Sequence, residues 1–305
     1  MVFRYKYRGG TWIDLEHPTE EEVRHVAQEF GINERLETEL FAPTPAPLVA
    51  SDGGATFIAL HFPAHGANDG DTLDQEVDFV IGESFIITVR YEVVAPLHRL
   101  RKMLEAQQII SPDDTMTTDV LLEILFAHLY TSVRDHVDSV AHRLTRIEQD
   151  MFNGLERTTV RAISNISREF LHIEAALANQ EGPLNRFMKA IITRGTFGAS
   201  FAERGERIFA ERAQVARLVM TFRAVATELR ETNASLLGAR QNEIMKTLTI
   251  VNFIFLPLGL ISWTFSMRTE GMPIIASPNA FWIVLSIMIG VTIVLTAFFI
   301  KKRWL

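Results

Sequence analysis

Two amides are the polar residues best placed to meet a small solute. Asn242 stands just before an apolar run from Leu248 to Phe265, and Asn252 lies inside it. At a spacing of three or four from Asn242 come Met245, Leu248 or Thr249, Asn252, Leu256 and Gly259, which a helix gathers on one face. An Asn in a membrane-length helix is costly unless it meets a partner or water. It therefore either lines a wet pore or bonds across neighbouring spans as packing glue. Neither this run nor a second one, Phe281 to Ile300, contains Asp, Glu or His. That argues against a proton relay or an ionisable carrier site within the membrane.

Elsewhere the chemistry is thin. His61 and His65 straddle an expected strand end, and His128, His136 and His142 share one expected helix without zinc-motif spacing. They read as core or surface residues. Asp69, Asp71 and Asp74 read as loop. The absence of a Gly-rich phosphate loop, a nucleophile elbow or a metal-ligand cluster argues against an enzyme domain on a membrane tether.

The elements that must position the amides follow from hydropathy. About twenty helical residues at ~1.5 Å each span about 30 Å, the thickness of a bilayer's hydrocarbon core. The two runs therefore read as a transmembrane hairpin. Arg240 and Lys246 precede the first run, and Lys301, Lys302 and Arg303 follow the second. Both termini are expected in the cytoplasm, since basic residues favour that side. Trp263, Trp282 and Trp304 sit near the run ends, where such rings anchor at headgroup level.

The net charge of −7 is unevenly placed. From residue 242 onward, five Lys or Arg face two Glu, a balance of +3 that leaves −10 for residues 1–241. An acidic body over a basic tail argues against nucleic acid as a partner. It suits a body that attracts cations, although a solvated acidic surface accounts for it equally. With no cysteine there is neither a disulfide framework nor a thiolate metal site. Met1 to Gly10 has no apolar core of signal-peptide length, so the first membrane run is expected to serve as the insertion signal.

Ahead of the membrane, residues 1–110 read as a mixed α/β domain. Strands are expected at Val2–Tyr7, Thr11–Leu15, Thr56–Phe62, Glu76–Ile81 and Phe85–Tyr91. A helix capped by Thr19 buries Val23, Val26, Ala27 and Phe30. Pro43, Pro45 and Pro47 break the chain, and Ala64 to Asp71 reads as a loop. Leu97 to Gln107 is expected as a short helix. Residues 111–200 read as a long antiparallel helix pair turning at Asn153-Gly154. Its seams are Val133, Val137, Val140, Leu144, Ile147 and Met151, against Ile163, Ile166, Phe170, Ile173 and Leu177. Pro183 is expected to bend or interrupt the second helix. A stalk helix over 201–247, with Val215, Val219, Phe222, Ala226, Leu229 and Leu236 as its stripe, continues into a first span over 248–265. About 65 residues in one helix would be close to 100 Å long. An external loop (266–280), a second span (281–300) and a basic cytoplasmic tail (301–305) complete the layout.

Several stretches resemble the CorA family of divalent-cation transporters. They are Asn242-Glu243-Ile244-Met245-Lys246, Leu248-Thr249-Ile250, Pro257-Leu258, Met272-Pro273 and Lys301-Lys302-Arg303-Trp304-Leu305. Trp12-Ile13-Asp14-Leu15 with Pro18-Thr19, and Ile87-Thr88-Val89, add to these near the start. The order of parts agrees along essentially the whole chain. The resemblance implies an α+β cytoplasmic domain, long coiled-coil-like helices and two C-terminal spans, assembled as a funnel-shaped homopentamer in the inner membrane. It also implies that the first span lines an axial pore, with Asn242, Met245, Leu248, Leu256 and Gly259 on the pore stripe. Asn252 joins them from periodicity alone. Five-fold repetition would make it a ring of amide oxygens suited to a hydrated cation's water shell, between apolar rings of Met245, Leu248 and Leu256 that gate by dewetting.

One departure bears on function. The family carries Gly-Met-Asn at the outer pore mouth, after an aromatic residue and shortly before Met-Pro. Here Phe265 precedes Ser266-Met267-Arg268, and Thr269-Glu270-Gly271 leads to Met272-Pro273. Arg offers donors and no acceptor. Five guanidinium charges about 8 Å from a divalent ion would repel it by roughly 5 kcal/mol in unscreened water. Alternatively, Arg268 satisfies carbonyls at the helix end, snorkels to lipid phosphates, or pairs with Glu270. The zinc-transporting ZntB branch also varies at this motif. The expected function is passage of divalent cations (magnesium, or zinc, cobalt or another transition metal), with such a cation also a possible regulator and no cofactor. The alternative is a non-conducting relative acting as a membrane sensor or scaffold.

Overall fold

A computed structural model describes residues 1–65, 72–110, 116–198, 200–267 and 279–302. The chain forms six strands: β1 (Val2–Tyr7), β2 (Gly10–Glu16), β3 (Leu48–Asp52), β4 (Ala55–His65), β5 (Thr72–Ile81) and β6 (Phe85–Arg90). They form one sheet in the order β1-β2-β6-β5-β4-β3. Only β2 and β6 pair in parallel, with Asp14 opposite Thr88 and Glu16 opposite Arg90. The turn into β2 needs a residue without a side chain, because a Cβ at Gly10 would stand 1.8 Å from the Ser84 carbonyl oxygen.

One face of the sheet is covered by α1 (Glu20–Glu29) and α2 (Glu34–Thr38). Thr19 opens α1 with a reciprocal cap: Glu22 N–H donates to Thr19 Oγ1 at 3.2 Å, and Thr19 N–H to the Glu22 carboxylate at 2.9 Å. Val23, Val26, Ala27 and Leu36 then pack with Ile13, Leu15, Phe57, Val80, Ile87 and Val89.

The other face takes the long helices. α3 (Ala95–Ile110) precedes α4 (Thr118–Phe152) and α5 (Glu156–Arg194). Phe126 of α4 stacks on Phe79 of β5 at 4.9 Å, and Tyr130 meets Phe62 of β4 at 5.7 Å. α4 and α5 run antiparallel, since Tyr130 hydrogen-bonds Gln180 while His136 reaches Glu169. Their apolar seams are buried, apart from half-buried Ile147. A third helix, α6 (Phe201–Ser266), packs its first part against this pair. Phe222 stacks on Phe170 at 6.0 Å, and Arg212 Nη1 donates to the Leu177 carbonyl at 2.7 Å. Residues 1–230 and 231–305 are two compact units, and α6 contributes to both.

Two elements are additions and three expectations are corrected. Leu48–Asp52 is a strand and Glu34–Thr38 a helical turn, on either side of the proline-rich break and without an expectation from the sequence. Asp74 belongs to β5, not a loop, and its carboxylate lies 3.2 Å from His172 Nε2. Ala64 and His65 close β4; residues 66–71 lie outside the described residues. Pro183 does not interrupt α5, which runs on to Arg194. One lost backbone bond is outweighed by a buried flank in which Leu184, Phe187, Met188 and Ile191 continue the packing.

Candidate functional site

The unit 231–305 holds two helices long and apolar enough to cross a membrane, the C-terminal part of α6 and α7 (Ala280–Lys301). Three of their hydroxyls are satisfied within the helices. Thr249 Oγ1 donates to the Met245 carbonyl at 2.7 Å, Thr264 to Leu260 at 2.7 Å and Thr292 to Met288 at 2.8 Å.

Side-chain burial shows which side of α6 meets α7. Ile250 is buried, and Phe253 meets Phe299 of α7 edge to face at 6.3 Å. Half-buried Ile254, Pro257, Leu258, Ile261 and Phe265 continue that side, opposite Val284, Leu285, Met288, Val291, Thr292 and Leu295 of α7. At ~100° per residue, Asn252 lies about 200° round from Ile250, on the side away from α7. Met245, Leu248 and Leu256 share that side and are exposed, as is Asn252. Gly259 lies there too, where an added Cβ would stand 4.0 Å from the Trp263 ring. Thr249 sits on the flank and lines a cavity with Phe253 and Val294. Asn242 is exposed and about 80° off the line of Asn252. Ser266 ends α6 and Met267 is exposed just beyond. Arg268 and Glu270 lie outside the described residues, as do Met272-Pro273 and Arg303 to Leu305.

Charged chemistry in the unit 1–230 is paired across elements. Asp14, Thr88 and Arg90 form a buried layer on the long-helix side of the sheet. Arg90 Nη2 donates to Asp14 at 2.8 Å and to Glu16 at 3.0 Å, and Thr88 donates to Asp14 at 2.8 Å. Glu169 of α5 accepts from His136 Nε2 at 2.9 Å and also pairs with Arg143. Burial alone would raise the Glu169 carboxyl, but these two donors hold it below the ordinary glutamate range. Glu76 is likewise buried, and the bonds from His61 and from the Thr44 N–H and hydroxyl more than offset burial and lower it. His61 is raised by the same contact with Glu76, against burial. Asp78 has no exposure; burial pushes its carboxyl well up, and the nearby Glu76 charge adds to this. Tyr91 O–H donates to Asp78 at 2.9 Å.

Among the described residues no group of three or more His, Asp or Glu is arranged to hold a metal ion. His61 and His136 are engaged with carboxylates, and His128 Nδ1 lies 3.1 Å from the Ile124 carbonyl oxygen. The residue that sequence reasoning passed over is Phe253, whose partner orients the whole stripe. Its signal was an aromatic at helical spacing from Ile250 and Pro257.

A three-layered α/β unit, a long helix running on into an apolar segment, and one further apolar helix define a membrane protein with two C-terminal spans. The family described as "CorA-like Mg2+ transporter protein" matches residues 7–303, and the chain belongs to it. That family is one of transporters rather than enzymes. The chain is 24% identical to the putative metal ion transporter YfjQ of Bacillus subtilis, over 96% of this chain and 89% of that protein. It is 22% identical to the cobalt/magnesium transport protein CorA of Thermotoga maritima, over 97% and 83%. The solved CorA magnesium transporter of Methanocaldococcus jannaschii superposes with a TM-score of 0.82 at 19% identity, covering 99% of this chain and 94% of that one.

Proposed function

We propose that the protein is a homopentameric, funnel-shaped channel of the cytoplasmic membrane that passes divalent cations along an axis lined by α6. The observation that carries this is the side of α6 turned away from α7, where Asn252 stands among exposed Met245, Leu248 and Leu256. Such a face needs either copies of itself or lipid, and an amide is costly against lipid. Around a shared axis it becomes a wet ring between apolar ones. Both termini lie in the cytoplasm in this reading, supported by the basic residues that flank the spans. A divalent ion gains about 4.6 kcal/mol per 100 mV on entering, twice the single-charge value. Magnesium is the favoured ion from the family's description, with cobalt as the alternative that the Thermotoga relative's name offers.

Purified protein, sized by light scattering and reconstituted into liposomes with a trapped divalent-sensitive dye, tests this. A five-fold mass with flux supports it, and a monomer overturns it. A second reading, a non-conducting sensor or scaffold, is favoured by Ser266 and Arg268 in place of the family's Gly and Asn. Five-fold assembly without flux of magnesium, cobalt or zinc would select that one.

A further inference from the structure

At the basic end of the α6/α7 pair lies a cavity of about 520 Å³, walled by Phe253, Val294, Leu295 and Phe298 with Lys302 at its edge. That volume is in the ~300–1,000 Å³ range of small-molecule sites. Thr249 also lines it, but its hydroxyl is taken up by the Met245 carbonyl at 2.7 Å. Lys302 is thus the one charged residue among those lining the cavity, and no ion pair joins it to another described residue. Lys301 and Lys302 both offset the negative end of α7, but only Lys302 lines the cavity. The cavity at the other end of the pair, about 410 Å³, is lined by Ser262, Phe265, Phe281 and Leu285 among others, with no charged residue.

Among the described residues, an apolar wall with one cation in its lining complements one class of molecule present at that depth. We propose that the cavity binds an anionic phospholipid of the leaflet on the basic side, its acyl chain against Phe253, Val294 and Phe298 and its phosphate at Lys302. A neighbouring copy's apolar side chains would cover the wall but desolvate the ammonium. A lipid satisfies both. The inference rests on α6 and α7 spanning the membrane and is independent of which ion passes.

Full-length protein in detergent, incubated with dioleoyl phosphatidylglycerol or dioleoyl phosphatidylcholine, is examined by native mass spectrometry for lipid retained. Wild type keeps phosphatidylglycerol over phosphatidylcholine by about fivefold, the effect of one cation at a lipid surface. Lys302→Gln abolishes that preference, Lys301→Gln retains it, and Val294→Trp lowers retention of both lipids. Equal retention of the two lipids by wild type overturns the proposal, as does an unchanged preference in Lys302→Gln. Retention of neither lipid by assembled wild type also overturns it, in favour of a neighbouring copy filling the cavity. Release of the protein from membranes by alkaline carbonate would sink the spanning reading itself, and the proposal with it.

Discussion

Phe253 of α6 meets Phe299 of α7 edge to face, with ring centroids 6.3 Å apart. The contact commits one side of α6 to α7 and leaves the side bearing Asn252 for other partners. If five copies close around that side, Asn252 supplies the only amide within the apolar run. Asn252→Leu is then expected to lower divalent uptake into proteoliposomes by at least about tenfold, equivalent to about 1.4 kcal/mol on the barrier. The five-fold mass is expected to be kept. Unchanged uptake would return Asn252 to the role of packing glue.

The outer mouth is tested by Arg268→Asn, which restores the family's residue at that position. A ring of inward guanidinium groups repels a divalent ion by roughly 5 kcal/mol in unscreened water. Uptake measured with the same dye is expected to rise on its removal. Equal uptake by the two proteins would instead assign Arg268 to the helix end, to lipid phosphates or to Glu270.

In the unit 1–230, Glu169 is held below its ordinary range by donors from α4 that outweigh its burial. A depressed carboxyl contributes stability that is fully present above the unfolded value and is lost as pH falls through the folded one. Glu169→Gln is expected to cost about 2 kcal/mol at neutral pH, as a charge-assisted buried bond is weakened. It should also flatten the acid side of the melting-temperature profile. A variant whose profile overlays that of wild type would show that the α4/α5 seam does without this cluster.

Asp78 runs the other way. Burial, then the charge of Glu76, raises its folded carboxyl, so the folded state binds the proton more tightly than the unfolded chain does. Stability should therefore fall as pH rises from the ordinary aspartate range towards the raised value. Asp78→Asn keeps an acceptor for Tyr91 and is expected to remove that fall. Scanning calorimetry from mildly acid to mildly alkaline pH reads the difference, and parallel profiles would refute the assignment.

Local signals were legible where the cause was local. Thr19 ahead of three glutamates announced a helix cap, and the α4 and α5 seams followed from spacing alone. β3 was hidden because its residues are mostly half-buried at a sheet edge and follow three prolines, so no alternation marks it. Asp74 was masked by its Gly- and Asp-rich surroundings. The Asp14–Arg90 pair could not be seen, since nothing in either residue's neighbourhood points to a partner so distant in sequence. That Met245, Leu248, Leu256 and Gly259 share a helical side with Asn252 was readable from period, although Asn242 and Thr249 fall off that line. Which side of α6 meets α7 was not, because both runs are apolar all round and only side-chain packing distinguishes their faces.

The single parallel pairing in the sheet has a consequence for biosynthesis. β2 finds its neighbour 74 residues further along, where Asp14 meets Thr88, whereas β4, β5 and β6 pair with strands next to them in the chain. During translation the first hairpin must wait, with Trp12 and Ile13 uncovered, until the β4–β6 meander has emerged. A ribosome-stalled chain ending before Phe85 should therefore be open to proteases at its N-terminus, and one ending after α3 should not.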